Sequence, residues 1–422
     1  MSERLGVRLF GRDAGELSIV DDARSPESWR FTYARSYVDA AQPPLSVSLP
    51  LRAQPFDGAV VRNWFCNLLP EGGVRDAIEA RLRLPARDDF ALLAAIGGEC
   101  AGAVSIGATD SRDRTQHEGG TDLETLLALQ GEDAGDGAFA ALGTPHRLSL
   151  AGAQDKIAVV LDIDGRLRLP VGDELTTHIL KPDSSRIRGL RDLEAFGLAL
   201  ARAIGLDAVR GEPVDLAGRT ALLIERYDRV RNAGGVTRLH QEDFCQALGY
   251  PPELKYQSQG GPGLAACADL LRNRLRLGPA ALQGFLDWVA YNGIVANADA
   301  HAKNLALLCG EDGARRLAPF YDVVPTAVIA ESLVDRTPAL GIGVAVRIDR
   351  LGADDWRAFA QACGYAQRFV LRRVASLARA VLDEATATAE SLIQKGVDAD
   401  RLRRAAAFVQ GNAERTLRAV QS

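Results

Sequence analysis

The order of local textures constrains this chain most. Turn-punctuated strand patterns come first, and helical periodicity dominates the end. Residues 3–37 set short apolar runs (VRLF, LSIV, WRFTY) against turn residues such as GRDAGE, which predicts strands joined by tight turns. From Trp64 onward, WFCNLLPEGGVRDAIEARLRL and DDFALLAAIG predict short amphipathic helices. Residues 109–122, TDSRDRTQHEGGTD, contain no apolar residue and predict a linker. KIAVVLDIDGRLRLP then predicts two strands around a DG turn, THILKP a strand stopped by Pro182, and VDLAGRTALLIERYDR a hairpin. Between the last two, RDLEAFGLALARAIGL lines Leu193, Phe196, Leu200 and Ile204 along one helix stripe. From Gln241 to the end the sequence reads as helix, apart from the stretch around 297–325. Such an order fits an α+β chain with two lobes and a cleft between them.

With 422 residues, two or three domains are expected. A hydrophobic content of 47% and a charged content of 25% are those of a globular protein, not a disordered one. The formal net charge of −5 excludes a surface that is basic throughout, though not a local basic patch. Six scattered cysteines without a C-x-x-C pair read as buried thiols in a reducing compartment. Five histidines without H-x-x-x-H spacing weaken a zinc site. MSERLGVRLFGRD has no apolar signal core, and no apolar run reaches the ~18 residues of a membrane span. The expected location is the cytoplasm.

Three stretches carry chemistry. In Ser149–Lys156, SLAGAQDK, small residues would let backbone N–H groups approach a phosphate closely. The stretch satisfies neither standard phosphate motif, and an ordinary hairpin entry is the bland reading. Lys181 ends the strand in HILKP, where a lysine meets either phosphate oxygens or water. Glu194 either pairs with Lys181 or is one more solvated helix charge. In Asn297–Asn304, NADAHAKN, Asp299 and Asn304 are spaced D-x-x-x-x-N, as are the catalytic aspartate and metal-binding asparagine of kinase loops. APFYDVVP follows and places Asp322 where a kinase puts its main metal-binding aspartate. The bland readings are a turn and a strand-end cap, but two matches in the right order favour phosphoryl transfer. His301 is expected to stiffen the loop.

With these pieces in order, the chain resembles the HipA family of bacterial toxin kinases over almost its whole length. SLAGAQDK, THILKP, LIERYDR, LHQEDFCQALGYPPELKYQ, NADAHAKNLALL, APFYDVVPT, WFCNLLPEGG and GGECAGAVSI each resemble a family segment. The resemblance implies an α+β, two-lobed protein-kinase-like fold with an N-terminal α/β subdomain (1–108), a linker and helix (109–140), a kinase N-lobe (141–230) and a helical C-lobe (231–422). It implies a serine/threonine protein kinase that uses ATP and Mg²⁺. By position, Asp299 would be the catalytic base, and Asn304 and Asp322 the metal ligands. Ala151, Gly152, Ala153, Gln154, Lys156 and Lys181 would serve the nucleotide phosphates. Glu225 and Tyr227 would flank the adenine, Asp228 would neighbour the ribose, and Ser149 would be autophosphorylated. The implied partners are an aminoacyl-tRNA synthetase substrate, such as the glutamyl enzyme, and a small helix-turn-helix (HipB-like) antitoxin that supplies any DNA contact. Two other readings remain open at this level. D-x-H-x-x-N also resembles small-molecule kinases of the aminoglycoside and choline type. Basic stretches such as RLRR at 401–404 permit an inactive scaffold.

Overall fold

The computed structural model describes residues 3–22, 24–107, 122–123, 140, 142, 148–172, 174–184, 186–216, 218–232 and 235–421. The linker expected over 109–140 lies, apart from Asp122, Leu123 and Ala140, outside them. The chain forms two compact units that interleave in sequence. One comprises Met1–Ser185, Val214–Pro252 and Leu307–Arg315; the other comprises Arg186–Pro213, Glu253–Ala306 and Arg316–Ser422.

The first unit opens with β1 (Arg4–Leu9), β2 (Arg12–Ile19), β3 (Trp29–Tyr33), β4 (Phe56–Asp57) and β5 (Val104–Gly107), which form a sheet in the order β4-β3-β2-β1-β5. Alternation along β1 and β3 turns Val7, Leu9, Trp29 and Phe31 inward, away from water. Helices α1 (Ala59–Cys66), α2 (Gly72–Leu82) and α3 (Asp89–Ile96) bring Trp64, Phe65, Ile78 and Phe90 to the same core. The α3 start follows from Asp88, whose side chain accepts from Ala91 N–H.

A second sheet has the order β7-β6-β8-β10-β9, built from β6 (Ile157–Leu161), β7 (Leu167–Arg168), β8 (His178–Pro182), β9 (Gly211–Leu216) and β10 (Arg219–Glu225). The expected turn between β6 and β7 is present. Asp162 Oδ1 accepts from the N–H groups of Asp164 and Arg166, and Gly165 takes the left-handed conformation, φ 79°. The β11 (Arg229–Asn232) and β12 (Gly235–Arg238) hairpin leads to β13 (His240–Asp243), which joins β14 (Ala306–Cys309) and β15 (Arg315–Leu317) in a third sheet.

The second unit is helical, as the late periodicity predicts. Its main members are α4 (Leu190–Ala203), α5 (Pro279–Ile294), α6 (Ala353–Ala362), α7 (Gln367–Gln394) and α8 (Ala399–Gln421). Residues Phe285–Ile294 of α5 are buried on every side, because neighbours surround it. Arg373 of α7 pairs with Asp287, and Tyr291 Oη donates to Gly197 O of α4 at 2.6 Å. Asn412 of α8 donates its amide to Gly293 O and Ile294 O, which caps the carbonyls that end α5. The end of α5 is therefore fixed in place, and the polar octapeptide begins three residues later. Among the described residues no helix is long and apolar enough to cross a membrane. All six cysteines are free and buried, as their spacing predicts.

Candidate active site

Of the eight residues Asn297–Asn304, seven are buried and only Asp299 is exposed. Hydrogen bonds account for the burial of so polar a stretch. Ala296 just before it is left-handed, φ 57°. Asn297 is tied to Asn292 through its N–H (to the carbonyl, 2.8 Å) and its side-chain amide (2.8 Å). Ala298 N–H donates to Thr326 Oγ1 at 2.7 Å, and Ala339 N–H donates to Ala298 O at 2.9 Å. The Asp299 carbonyl accepts from His301 N–H (2.8 Å) and from the Asn304 side-chain amide (3.0 Å). That last bond joins the two residues picked out by the D-x-x-x-x-N spacing. Because its nitrogen donates to the loop, the Asn304 amide keeps its oxygen as the acceptor end suited to a hard cation.

His301 is buried, and burial together with the Lys255 ammonium holds its imidazole down to about 3. It stays neutral and fills the loop interior, as expected of a structural residue. The Asp322 carboxylate is close enough to oppose that shift, so Asp322 belongs to the same neighbourhood. Asp322 itself is left-handed, φ 55°, a conformation unusual outside glycine. Such strain, roughly 1–3 kcal/mol, persists where the surroundings over-determine it and clusters at functional sites. Tyr321 Oη helps by donating to Lys303 O at 2.6 Å.

The residues expected to serve the nucleotide lie in the first unit. SLAGAQDK is pinned to the segment 68–71 and to Glu99. Ser149 N–H donates to Glu99 O (2.9 Å), Ser149 Oγ donates to Leu68 O (2.8 Å), and Glu71 N–H donates to Gly152 O (2.9 Å). Ser149 is buried, whereas Ala151, Gly152, Gln154 and Lys156 are half-buried and Ala153 is exposed. At Gly152, φ 111°, a Cβ would lie 2.8 Å from Lys156 Nζ, so only glycine leaves the lysine its position. Gln154 Nε2 is buried with no hydrogen-bond partner among the described residues, a donor suited to an anion. Lys181 sits on β8, buried and in register with Leu222.

From the last residue of β10 onward, burial alternates: Glu225 exposed, Arg226 buried, Tyr227 half-buried, Asp228 buried. Asp228 accepts from Arg226 Nε (3.0 Å), Arg226 Nη2 (2.7 Å) and Gly102 N–H (2.6 Å), so its carboxylate is committed within the protein. Glu99 Oε1 accepts from Arg226 Nη1 (3.1 Å), Arg229 Nη2 (2.8 Å) and Thr176 Oγ1 (2.7 Å). Burial pushes both carboxyls up, but Arg226 and Arg229 outweigh it and hold both below the usual range. Sequence reading missed this cluster, because nothing in the spacing of Glu99 and Arg226 announces their contact. It missed Thr326 for the same reason. Glu194 is fully buried, which rules out a solvated charge.

Comparison with known proteins bears on the whole chain. The HipA N-terminal domain family matches residues 5–107, and the HipA-like C-terminal domain family matches residues 148–389. The chain belongs to the HipA family. A Sinorhizobium fredii relative named "Putative kinase Y4mE" is 39% identical over 403 residues, covering 91% of this chain and 92% of the relative. The "Serine/threonine-protein kinase toxin HipA" of Shewanella oneidensis is 31% identical over 311 residues, covering 67% of this chain and 66% of its own length. The HipA fold extends along the chain: a solved Shewanella oneidensis structure, described as a complex of HipA, HipB and operator DNA, superposes with TM-score 0.81 at 24% identity, covering 99% of this chain and 98% of that one. The expected α+β, two-lobed kinase-like fold of the HipA family is thus borne out.

Proposed function

We propose that this HipA-family kinase is an ATP-dependent serine/threonine protein kinase, acting in the cytoplasm as the toxin of a toxin–antitoxin pair. The observation that carries this reading is the exposed Asp299 on a buried, hydrogen-bonded loop, with Asn304 bonded to its carbonyl and Asp322 strained nearby. A rigid loop that presents one carboxylate to solvent suits a base that must meet an incoming hydroxyl. Asp299 takes the acceptor proton, while Asn304 and Asp322 would hold the magnesium that arrives with the nucleotide. Magnesium supplies positive charge against the phosphates during transfer. Among the described residues no three of His, Cys, Asp and Glu gather into a self-sufficient cation site, which fits an ion bound through few protein oxygens plus phosphate. Gly152, the Gln154 amide, Lys156 and Lys181 would serve the phosphates, with Ala151 and Ala153 keeping the loop small. Glu225 and Tyr227 would border the base. Asp228, with its carboxylate occupied, would act there as scaffold.

The substrate would be an aminoacyl-tRNA synthetase, and a HipB-like helix-turn-helix antitoxin would restrain the kinase and supply DNA binding. Support comes from the names of the relatives, one a kinase toxin and one solved with HipB and operator DNA. The test is expression without antitoxin. Growth should arrest with the wild-type chain and continue with Asp299→Asn. Phosphoproteomics shortly after induction should find new phosphoserine or phosphothreonine on a synthetase only with the wild type. Normal growth at confirmed expression, with label passing to a small hydroxylated molecule, would replace this reading with a small-molecule kinase.

A further inference from the structure

Asp299 is exposed, and an aspartate side chain in water rotates among staggered χ1 wells and a broad χ2. A base that must meet a hydroxyl at hydrogen-bond distance works only if its oxygens are held. The loop fixes the Asp299 backbone through its N–H, which donates to Asn297 Oδ1 at 3.2 Å, and through its twice-bonded carbonyl. Neither bond fixes the carboxylate. Tyr256 does: its phenol donates to Asp299 Oδ1 at 2.7 Å.

Tyr256 is built to stay where it is. Its ring stands edge-on to His301, with centroids 5.3 Å apart and planes at 87°. Its carbonyl accepts from Gln259 N–H (3.1 Å) and Gly261 N–H (3.0 Å). That turn requires glycine, since a Cβ on Gly261 would lie 2.1 Å from Leu254 O and 2.8 Å from Tyr256 O. On either side the chain is stitched to the catalytic region. Ala302 N–H donates to Lys255 O (3.3 Å), and Gln257 N–H donates to Ala339 O (2.9 Å), whose own N–H binds Ala298 O. Residues 255–257 therefore move with the loop that carries the base.

We propose that Tyr256 is a positioning residue for the catalytic carboxylate, its phenol restricting the rotation of Asp299 so that the acceptor hydroxyl meets a prearranged oxygen. The inference rests on the kinase reading of Asp299. It takes no proton through Tyr256, which remains a donor throughout. Removing the hydroxyl should slow transfer without disturbing nucleotide binding, because the bond is to the base and not to a phosphate contact.

The test compares wild type, Tyr256→Phe, Asp299→Asn and the double variant in the full chain. Label transfer from Mg-ATP to ATP-depleted lysate protein is followed as ATP is varied. Phenylalanine keeps the packing on His301, so the melting temperature should hold. We expect kcat for Tyr256→Phe to fall about ten- to hundred-fold, KM for ATP to stay level, and the double variant to be no slower than Asp299→Asn alone. An unchanged kcat, or a further loss in the double variant, overturns the inference while leaving the kinase reading intact. A rise in kcat also overturns it, since the phenol would then be occupying the acceptor's place. A loss in ATP affinity that matches the loss in kcat assigns Tyr256 to the nucleotide side instead. No transfer by the wild type, or full transfer by Asp299→Asn, removes the kinase reading and this inference with it.

Discussion

At the residue scale, Asp322 and Ser149 pose the sharpest questions. Asp322 carries a charge and an unusual conformation at once, φ 55°. Asparagine tolerates left-handed backbone at least as well as aspartate but lacks the charge. Asp322→Asn should therefore keep the melting temperature and lose Mg²⁺-dependent ATP turnover; near-normal turnover would remove Asp322 from the site. Ser149 is sealed in, with its hydroxyl on Leu68 O. A phosphate there adds roughly −1.5 to −2 charge and cannot share that buried place. Self-phosphorylation at Ser149 should thus require the loop to leave Leu68 and Glu99, and should weaken ATP binding once complete. Mass spectrometry after incubation with Mg-ATP, with Asp322→Asn as control, locates the phosphate. Titration of ATP into the modified protein then reads the consequence. Phosphate found only elsewhere, or unaltered affinity at full modification, would refute this expectation.

At the element scale, β13 holds two buried groups with opposed proton preferences. Burial holds His240 down to about 4 from an ordinary 6.5 and pushes Glu242 up to about 7 from 4.5, despite the hydrogen bonds Glu242 accepts from Ser46 and Val47. Below its ordinary value, the unfolded chain protonates His240 while the folded one does not. That contribution is lost as pH falls from about 6.5 to about 4. Glu242 behaves the other way. The folded chain keeps its proton to about 7, so its contribution falls as pH rises from about 4.5 to about 7. The two slopes oppose each other over the shared window. Glu242→Gln removes one of them and preserves an acceptor for Ser46. The variant should lose stability on acidification from pH 6.5 to 4.5 more steeply than wild type, by up to about 1.4 kcal/mol per pH unit. Denaturant midpoints across that range check it, and parallel curves would refute it.

At the scale of the whole molecule, the N-terminal segment is part of the kinase and not an appendage. Leu68 and Glu71 hold the Ser149–Gly152 loop, while Glu99 holds both that loop and, through Arg226 and Arg229, the segment after β10. Breaking such a buried ion cluster costs about 3–5 kcal/mol, because it strands charges away from water. A chain lacking residues 1–107 should accordingly lose ATP binding and become protease-sensitive. ATP titration and limited proteolysis beside the full chain decide this, and full-chain affinity in the truncated protein would show the N-terminal segment to be dispensable.

Sequence by itself determined the local elements and the spacing within the proposed catalytic loop. Alternation placed β1 to β3, the DG pair placed the β6–β7 turn, and the apolar stripe placed α4, because each depends on neighbours within a few residues. D-x-x-x-x-N was legible for the same reason, since one loop carries both side chains. Tertiary structure alone decided what meets across long separations. It brought Glu99 to Arg226, Glu242 to Ser46 and Tyr256 to Asp299. It also folded Val214–Pro252 and Leu307–Arg315 back onto the first 185 residues. Such pairings satisfy buried charges and donors, and burial is a property of the folded chain that no local spacing encodes.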